Sequence, residues 1–175
     1  MARGYRPPEA VLTPGECTLA VDIWFTGCTF AEMLSGKPLF QGWNHDRLLT
    51  KILNVLGNQD YMWIRSEDSR NAIMSNYKPE RKVPLMDKVP KASTSALDLL
   101  KKLLQFDPTK RIRAEEALRH EYLREYHNPE NEPSAAPLPE SSVNFESIED
   151  MEKLKKAMYE EIMSYFPSSS TTGRA

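Results

Sequence analysis

The chain of 175 residues carries 23 Lys and Arg against 25 Asp and Glu, a formal net charge of −2, with 40% hydrophobic and 27% charged residues. That balance fits a globular chain long enough to bury a core, and it provides no strong field of either sign to draw in nucleic acid or an anionic membrane surface. The two cysteines, Cys17 and Cys28, are too few for a disulfide scaffold and stand in no zinc-ligand spacing, so a reducing cytoplasmic or nuclear setting is expected.

Residues 1–17 are rich in Pro and Gly and read as loop, with at most one helical turn near Glu9 to Leu12. Thr18 is a candidate N-cap for a helix to Leu34, whose apolar residues point in every direction, so the helix is expected to be buried on all sides. This most apolar span is interrupted by Asp22 and Glu32 and falls short of the roughly 20 residues a membrane helix needs. With no leader-like stretch after Met1, neither secretion nor membrane insertion is expected. Ser35-Gly36-Lys37-Pro38 stops this helix, and Leu48, Leu49, Ile52, Leu53, Val55 and Leu56 predict a second one closed by Gly57.

Residues 58–92 mix polarities around Pro84 and Pro90 and predict short helices and loops. Ser95-Ala96-Leu97-Asp98 resembles a capping box opening a helix to about Gln105, lined by Leu97, Leu100, Leu103 and Leu104. After a loop around Pro108, a further helix is predicted from Ala114 to Tyr126, with Leu118, Tyr122 and Leu123 on one side. The prolines from His127 to Asn144 mark a linker. Ser147-Ile148-Glu149-Asp150 then opens an amphipathic helix with Met151, Leu154, Met158, Ile162 and Tyr165 on one stripe, and residues 167–175 read as disordered. The fold class expected is mainly α.

One residue stands out. Asp22 is a carboxylate inside a helix that is apolar all round, and a buried charge needs partners. The plainer alternative is an acidic residue in a first helical turn, where it favours the dipole. Around it, in order, come Tyr5-Arg6, Pro8-Glu9, Asp22-Ile23-Trp24, Gly27-Cys28, Ala31-Glu32-Met33, Gly36-Lys37-Pro38, Ala96-Leu97-Asp98-Leu99-Leu100, Phe106-Asp107-Pro108, Lys110-Arg111-Ile112 and Tyr122-Leu123. This ordered set resembles the part of a mitogen-activated protein (MAP) kinase that follows the activation segment. The tail around Phe145 to Lys155 looks most like the fungal cell-integrity type.

The resemblance implies the C-terminal helical lobe of the bilobal kinase fold over residues 1–126, with an insert at about 43–92. A linker with a remnant docking patch would follow over 127–145 and a tail helix over 146–166. Glu9 would pair with Arg111, and Asp22, Trp24 and Gly27 would belong to the same structural motif. In the family Asp22 would brace the catalytic loop from below. Arg3 and Arg6 would hold the phosphorylated lip, while Tyr5, Arg6, Pro7 and Pro8 would shape the pocket for the residue after the phosphoacceptor, a proline in these kinases. Glu130 and Glu132 would remain of an acidic docking patch, or serve only linker solubility.

The departures bear on the same places. Gly4 replaces a Trp, Pro7 an Ala and Phe25 a small Ser, while Asn128 and Asn131 replace acidic docking residues. Nowhere in the 175 residues is there a Gly-x-Gly-x-x-Gly, a His-Arg-Asp followed by Asn, an Asp-Phe-Gly or a Thr-x-Tyr lip. The expected catalytic, cofactor-binding and metal-binding residues are therefore none, although the intact family uses ATP and magnesium. The readings are a catalytically incompetent part of a kinase that phosphorylates Ser/Thr-Pro sites, or a non-catalytic binding module or decayed gene product competing for kinase partners. Expected partners are protein substrates, upstream kinases, phosphatases or scaffolds, and the missing N-terminal part of the kinase, with no nucleic acid and no membrane. The uncovered apolar surfaces, and an Asp22 without its loop, predict a marginally stable, aggregation-prone chain.

Overall fold

The computed structural model describes residues 3–13, 15, 18–42, 44–77, 81–133, 135–136 and 148–165. They form helices and, among the described residues, no strand. The chain divides into two compact units, Met1–His127 and Asn128–Ala175. The expected disordered tail, and Ser147 of the expected tail capping box, lie outside the described residues.

The first unit opens with a 3-10 turn, Arg3–Tyr5, and the short helix α1, Pro8–Leu12. Pro8 sits in the first turn of α1, where a missing N–H and a fixed φ cost nothing. Helix α2, Ala20–Ser35, starts where Thr18 Oγ1 accepts the Ala20 N–H at 3.3 Å. It stops at Gly36, whose φ of +73° suits glycine and lets its N–H reach the Glu32 carbonyl. Helix α3, His45–Leu56, is capped by Asn44, whose Oδ1 accepts the Arg47 N–H at 2.9 Å, and is followed by Gly57. Helices α4, Glu67–Asn76, and α5, Leu85–Lys88, fill the mixed stretch.

Trp24, Cys28 and Ala31 of α2, Leu48, Leu49, Ile52 and Leu53 of α3, and Phe40, Leu100, Leu104 and Phe106 make one core. Each large aliphatic side chain removed from water here contributes roughly 1.5–3 kcal/mol before chain entropy is counted. Helix α6, Thr94–Leu103, packs along α2. Its cap is Ser93, two residues ahead of the predicted start, because the Ser93 hydroxyl rather than that of Ser95 accepts the Ala96 N–H. Gly27 leaves α2 room for the end of α6: a Cβ there would stand 2.8 Å from Leu104 Cδ2 and 3.0 Å from Leu103 Cβ.

Two expectations fail in this unit. The helix predicted from Ala114 to Tyr126 is broken into α7, Ala114–Leu118, and a 3-10 turn, Glu121–Leu123. The break is at His120, whose Nδ1 accepts the Tyr122 N–H at 3.3 Å while Nε2 faces Asp98 Oδ2 on α6 at 2.8 Å. His120 Nε2 thus sits between Asp98 Oδ2 and, at 3.1 Å, Lys102 Nζ, which ties the turn to α6. Lys102, then His120, hold the Asp98 carboxyl below its ordinary range.

The second failure is α2 itself. Only Trp24, Gly27, Cys28 and Ala31 are fully buried, whereas Asp22, Thr26, Thr29 and Met33 form an exposed stripe at helical spacing. Asp22 is therefore not a buried charge, and the uncompensated penalty expected of it does not arise. Its conservative replacement, Asp22→Asn, is expected to move the urea midpoint by no more than about 0.5 kcal/mol of stability, as for an exposed helix-start residue; a loss above about 2 kcal/mol would restore the buried reading.

In the second unit a 3-10 turn, Pro129–Asn131, precedes helix α8, Met151–Tyr165. Asp150 Oδ1 accepts the Glu152 and Lys153 N–H groups at 2.9 and 3.1 Å and starts the helix. Met151, Met158, Ile162 and Tyr165 of its apolar stripe are exposed.

Candidate functional site

The best-formed polar arrangement in the chain joins its start to residue 111 across the core. Glu9 and Arg111 are 1% and 5% exposed. Arg111 NH1 donates to Glu9 Oε1 at 2.7 Å and NH2 to Oε2 at 3.0 Å, the parallel two-pronged geometry that only a guanidinium provides. The remaining donors are also used, Nε and NH2 on the Gln105 carbonyl at 3.1 and 3.0 Å and NH1 on the Ala20 carbonyl at 2.5 Å. The guanidinium lies 5.1 Å from the Trp24 ring centre, so its flat face is covered as well. Three separate segments, carrying Glu9, Ala20 with Trp24, and Gln105, are fixed to one cation.

Just ahead of Glu9, Pro7 and Pro8 are buried, and the backbone turn at Arg3–Tyr5 leads into them. A Cβ on Gly4 would come within 2.6 Å of the Phe40 carbonyl oxygen, so this path of the backbone admits no side chain where the resembled family has Trp. The Tyr5 hydroxyl donates to Glu32 Oε2, and that bond is the main reason its phenol titrates above the ordinary range. The Tyr5 ring stacks on Phe25 at 6.4 Å and 13°, so the larger residue at position 25 supports the loop. Arg6 NH1 lies 2.5 Å from His45 Nε2 at the start of α3. Tyr5, Arg6, Pro7, Pro8 and Glu9 are thus held together over α2 and the start of α3.

The other singled-out residues stand apart from this cluster. Asp22 is exposed on α2, and its side chain has no hydrogen bond or ion pair among the described residues. Glu130 is exposed, while Glu132 Oε1 accepts the Asn128 N–H at 3.0 Å and stabilises its own turn. Burial pushes the Cys28 thiol up to about 12, outweighing the opposing pull of Arg111, so this group packs and does not react. Sequence reasoning did not find Glu32 as the partner of Tyr5, nor the Asp98, Lys102 and His120 cluster. Tyr5 with Glu32, and His120 with Asp98, join residues far apart in the chain and leave no local pattern, whereas Asp98 and Lys102 are an i,i+4 pair on α6 that helical spacing could have signalled.

Beside the exposed stripe of α2 runs an apolar groove of about 410 Å³, lined by Phe25, Phe30 and Met33 of α2, Leu99 and Leu103 of α6, and Tyr122. No described residue of the first unit fills it.

The nucleotide and magnesium implied by the resemblance do not fit the residues present. Among the described residues no three His, Cys, Asp or Glu gather where they could hold a metal. The buried carboxylate Glu9 is fully engaged by Arg111, and the chain has no glycine-rich phosphate loop. No described helix is long and apolar enough to cross a membrane.

Comparison with known proteins gives these features a context. The protein kinase domain family matches residues 1–123. The chain is 50% identical to a mitogen-activated protein kinase of Fusarium vanettenii and to the mitogen-activated protein kinase mpkB of Aspergillus fumigatus, each over 92% of the chain and 47% of the relative. It is 42% identical to extracellular signal-regulated kinase 1 of Candida albicans, over 92% of the chain and 44% of that protein. The chain spans about half the length of the curated relatives it matches.

Proposed function

The chain belongs to the protein kinase domain family, with mitogen-activated protein kinases as its relatives, and from this premise we propose that it supplies the helical, substrate-facing lobe of such a Ser/Thr kinase and transfers no phosphate alone. The observation that carries the reading is the open apolar groove along α2 and α6, beside the exposed Asp22. A groove of this kind in a monomeric chain is a surface awaiting a partner. The half of the relatives that lies beyond the match is the partner proposed. In the joined kinase, Arg3, Tyr5, Arg6, Pro7 and Pro8 line the approach of a Ser/Thr-Pro substrate, Asp22 braces the catalytic loop, and the Glu9–Arg111 pair holds the substrate loop to the lobe. ATP and magnesium would be held by the other half, and this chain's share of the work is to orient the substrate.

The proposed setting is the cytoplasm or nucleus, the proposed partners are protein substrates and docking proteins, and the cell-integrity subdivision belongs to the same proposal. With Glu132 turned to its own backbone, docking of basic peptides through Glu130 alone is expected to be weak. A non-catalytic module that competes for kinase partners is the second reading, favoured by the exposed apolar stripe of α8.

Co-expression with the N-terminal half of a fungal relative separates the readings. The expected result is a stable complex of the two halves that phosphorylates a Ser-Pro peptide in an ATP-dependent manner, with no transfer by this chain alone. Two halves that fail to associate would count for the competing module, and ATP-dependent transfer by the chain alone would overturn both.

A further inference from the structure

A second cavity, of about 860 Å³, opens on a different part of the first unit, where the end of α2, the middle of α3 and the end of α5 meet. We propose that this cavity binds an acidic peptide segment with an apolar anchor residue. Its lining brings together Lys37, Lys51, Lys88 and Lys91 from three elements, against the single carboxylate of Asp87. All four lysines are exposed, and none forms an ion pair with a described residue. In a chain whose net charge is −2, four unpaired ammonium groups around one cavity are a local concentration of like charge.

Helix ends account for part of it. Lys37 follows the C-terminus of α2 and Lys88 is the last residue of α5, where a cation favours the dipole. Lys51 lies inside α3, with Arg47, Leu48, Asn54 and Val55 three and four positions away, so no acid on its own helix explains it. It points to a ligand's charge instead.

The rest of the lining says which charge. Met33, 78% exposed, and Leu34, Pro38 and Leu39 give the cavity an apolar side that an inorganic anion would not use. No arginine lines it, so the two-pronged capture typical of a dedicated phosphate site is absent from its lining. Lysine ammonium groups are compact and non-directional, and suit a run of carboxylates that shifts along the cavity. The volume is within the range of about 300–1,000 Å³ seen for sites that enclose several groups of a ligand. A segment of two to four Asp or Glu residues with a neighbouring Leu or Phe fits both sides.

The test is fluorescence anisotropy with the full chain and a labelled peptide of alternating Asp and Glu ending in Leu. Saturable binding is expected, weakening about tenfold in the double variant K51Q/K91Q and again by about tenfold when salt rises from roughly 50 to roughly 500 mM. The control K101Q, on the exposed face of α6, should bind as the parent does. All three substituted lysines are exposed, and circular dichroism of each variant checks that the fold is kept. Unchanged affinity in K51Q/K91Q overturns the site. Equal binding of a Lys-rich peptide overturns the charge assignment, and displacement of the acidic peptide by tripolyphosphate at equal concentration overturns the peptide assignment. The measurement involves no phosphoryl transfer, so its outcome is independent of the kinase reading.

Discussion

Replacing Arg111 with methionine is expected to cost about 3–5 kcal/mol, the loss seen when one member of a buried ion pair is removed and the other stays. Glu9 would then be a carboxylate 1% exposed with no cation beside it. The Gln105 and Ala20 carbonyls would lose their donors in the same step. Whole domains are stable by only about 5–15 kcal/mol, so a change of this size moves the chain to the edge of unfolding. Urea denaturation followed by tryptophan fluorescence measures it. If the single variant is insoluble, the soluble fraction of the pair Glu9→Leu with Arg111→Met serves, because removing both charges leaves nothing buried and unpaired and is expected to recover most of the loss. Arg111→Lys keeps the charge but not the fork, and should fall between the two. A loss below about 1 kcal/mol in Arg111→Met would mean that the pair does not hold the turn around Glu9 to the core.

The reach of the sequence differs sharply between elements. Helices α3 and α8 were legible because their apolar residues recur at helical spacing and Gly57 closes α3, while the caps at Asn44 and Asp150 emerged only in the structure. The mainly α class agrees with such stretches. The environment of α2 was not legible, since apolar residues on every side say that a helix has neighbours without saying whether this chain provides them. Here it provides them for Trp24, Gly27, Cys28 and Ala31, and leaves the stripe from Asp22 to Met33 open. The break at His120 was hidden for another reason. The stretch Ala114 to Tyr126 has a continuous helical pattern, and what interrupts it is a hydrogen bond to Asp98, more than twenty residues earlier. At the candidate site, Glu9 and Arg111 came from a motif order and not from any local signal, whereas the buried Asp22 was read from the all-round apolar pattern of α2, and that residue is exposed. Gly4 shows the converse. It reads as a lost residue in the sequence, and the Phe40 carbonyl accounts for it in the structure.

Trp24 is the position where packing and polarity make opposite demands, and its two simplest replacements should therefore differ widely. The side chain is 0% exposed, stacked on Phe40 at 5.7 Å and 11°, with the Arg111 guanidinium over its face. Truncation to alanine removes the largest side chain of the core and is expected to cost about 3–5 kcal/mol. Yet Trp24 Nε1 is buried without a hydrogen-bond partner among the described residues, a penalty of about 1–3 kcal/mol already present in the native protein. Phenylalanine gives up part of the packing but also removes the orphan donor, and it keeps a ring face for both Phe40 and Arg111. Trp24→Phe is therefore expected to lose less than half of what Trp24→Ala loses, measured by urea denaturation with circular dichroism. Because the ring and the guanidinium are in contact, Trp24→Ala and Arg111→Met should also be non-additive by about 0.5–3 kcal/mol in a double-mutant cycle. Equal losses for Phe and Ala would show that the indole nitrogen is satisfied in solution, and strict additivity with Arg111 would remove the ring from the network that ties Glu9 to the core.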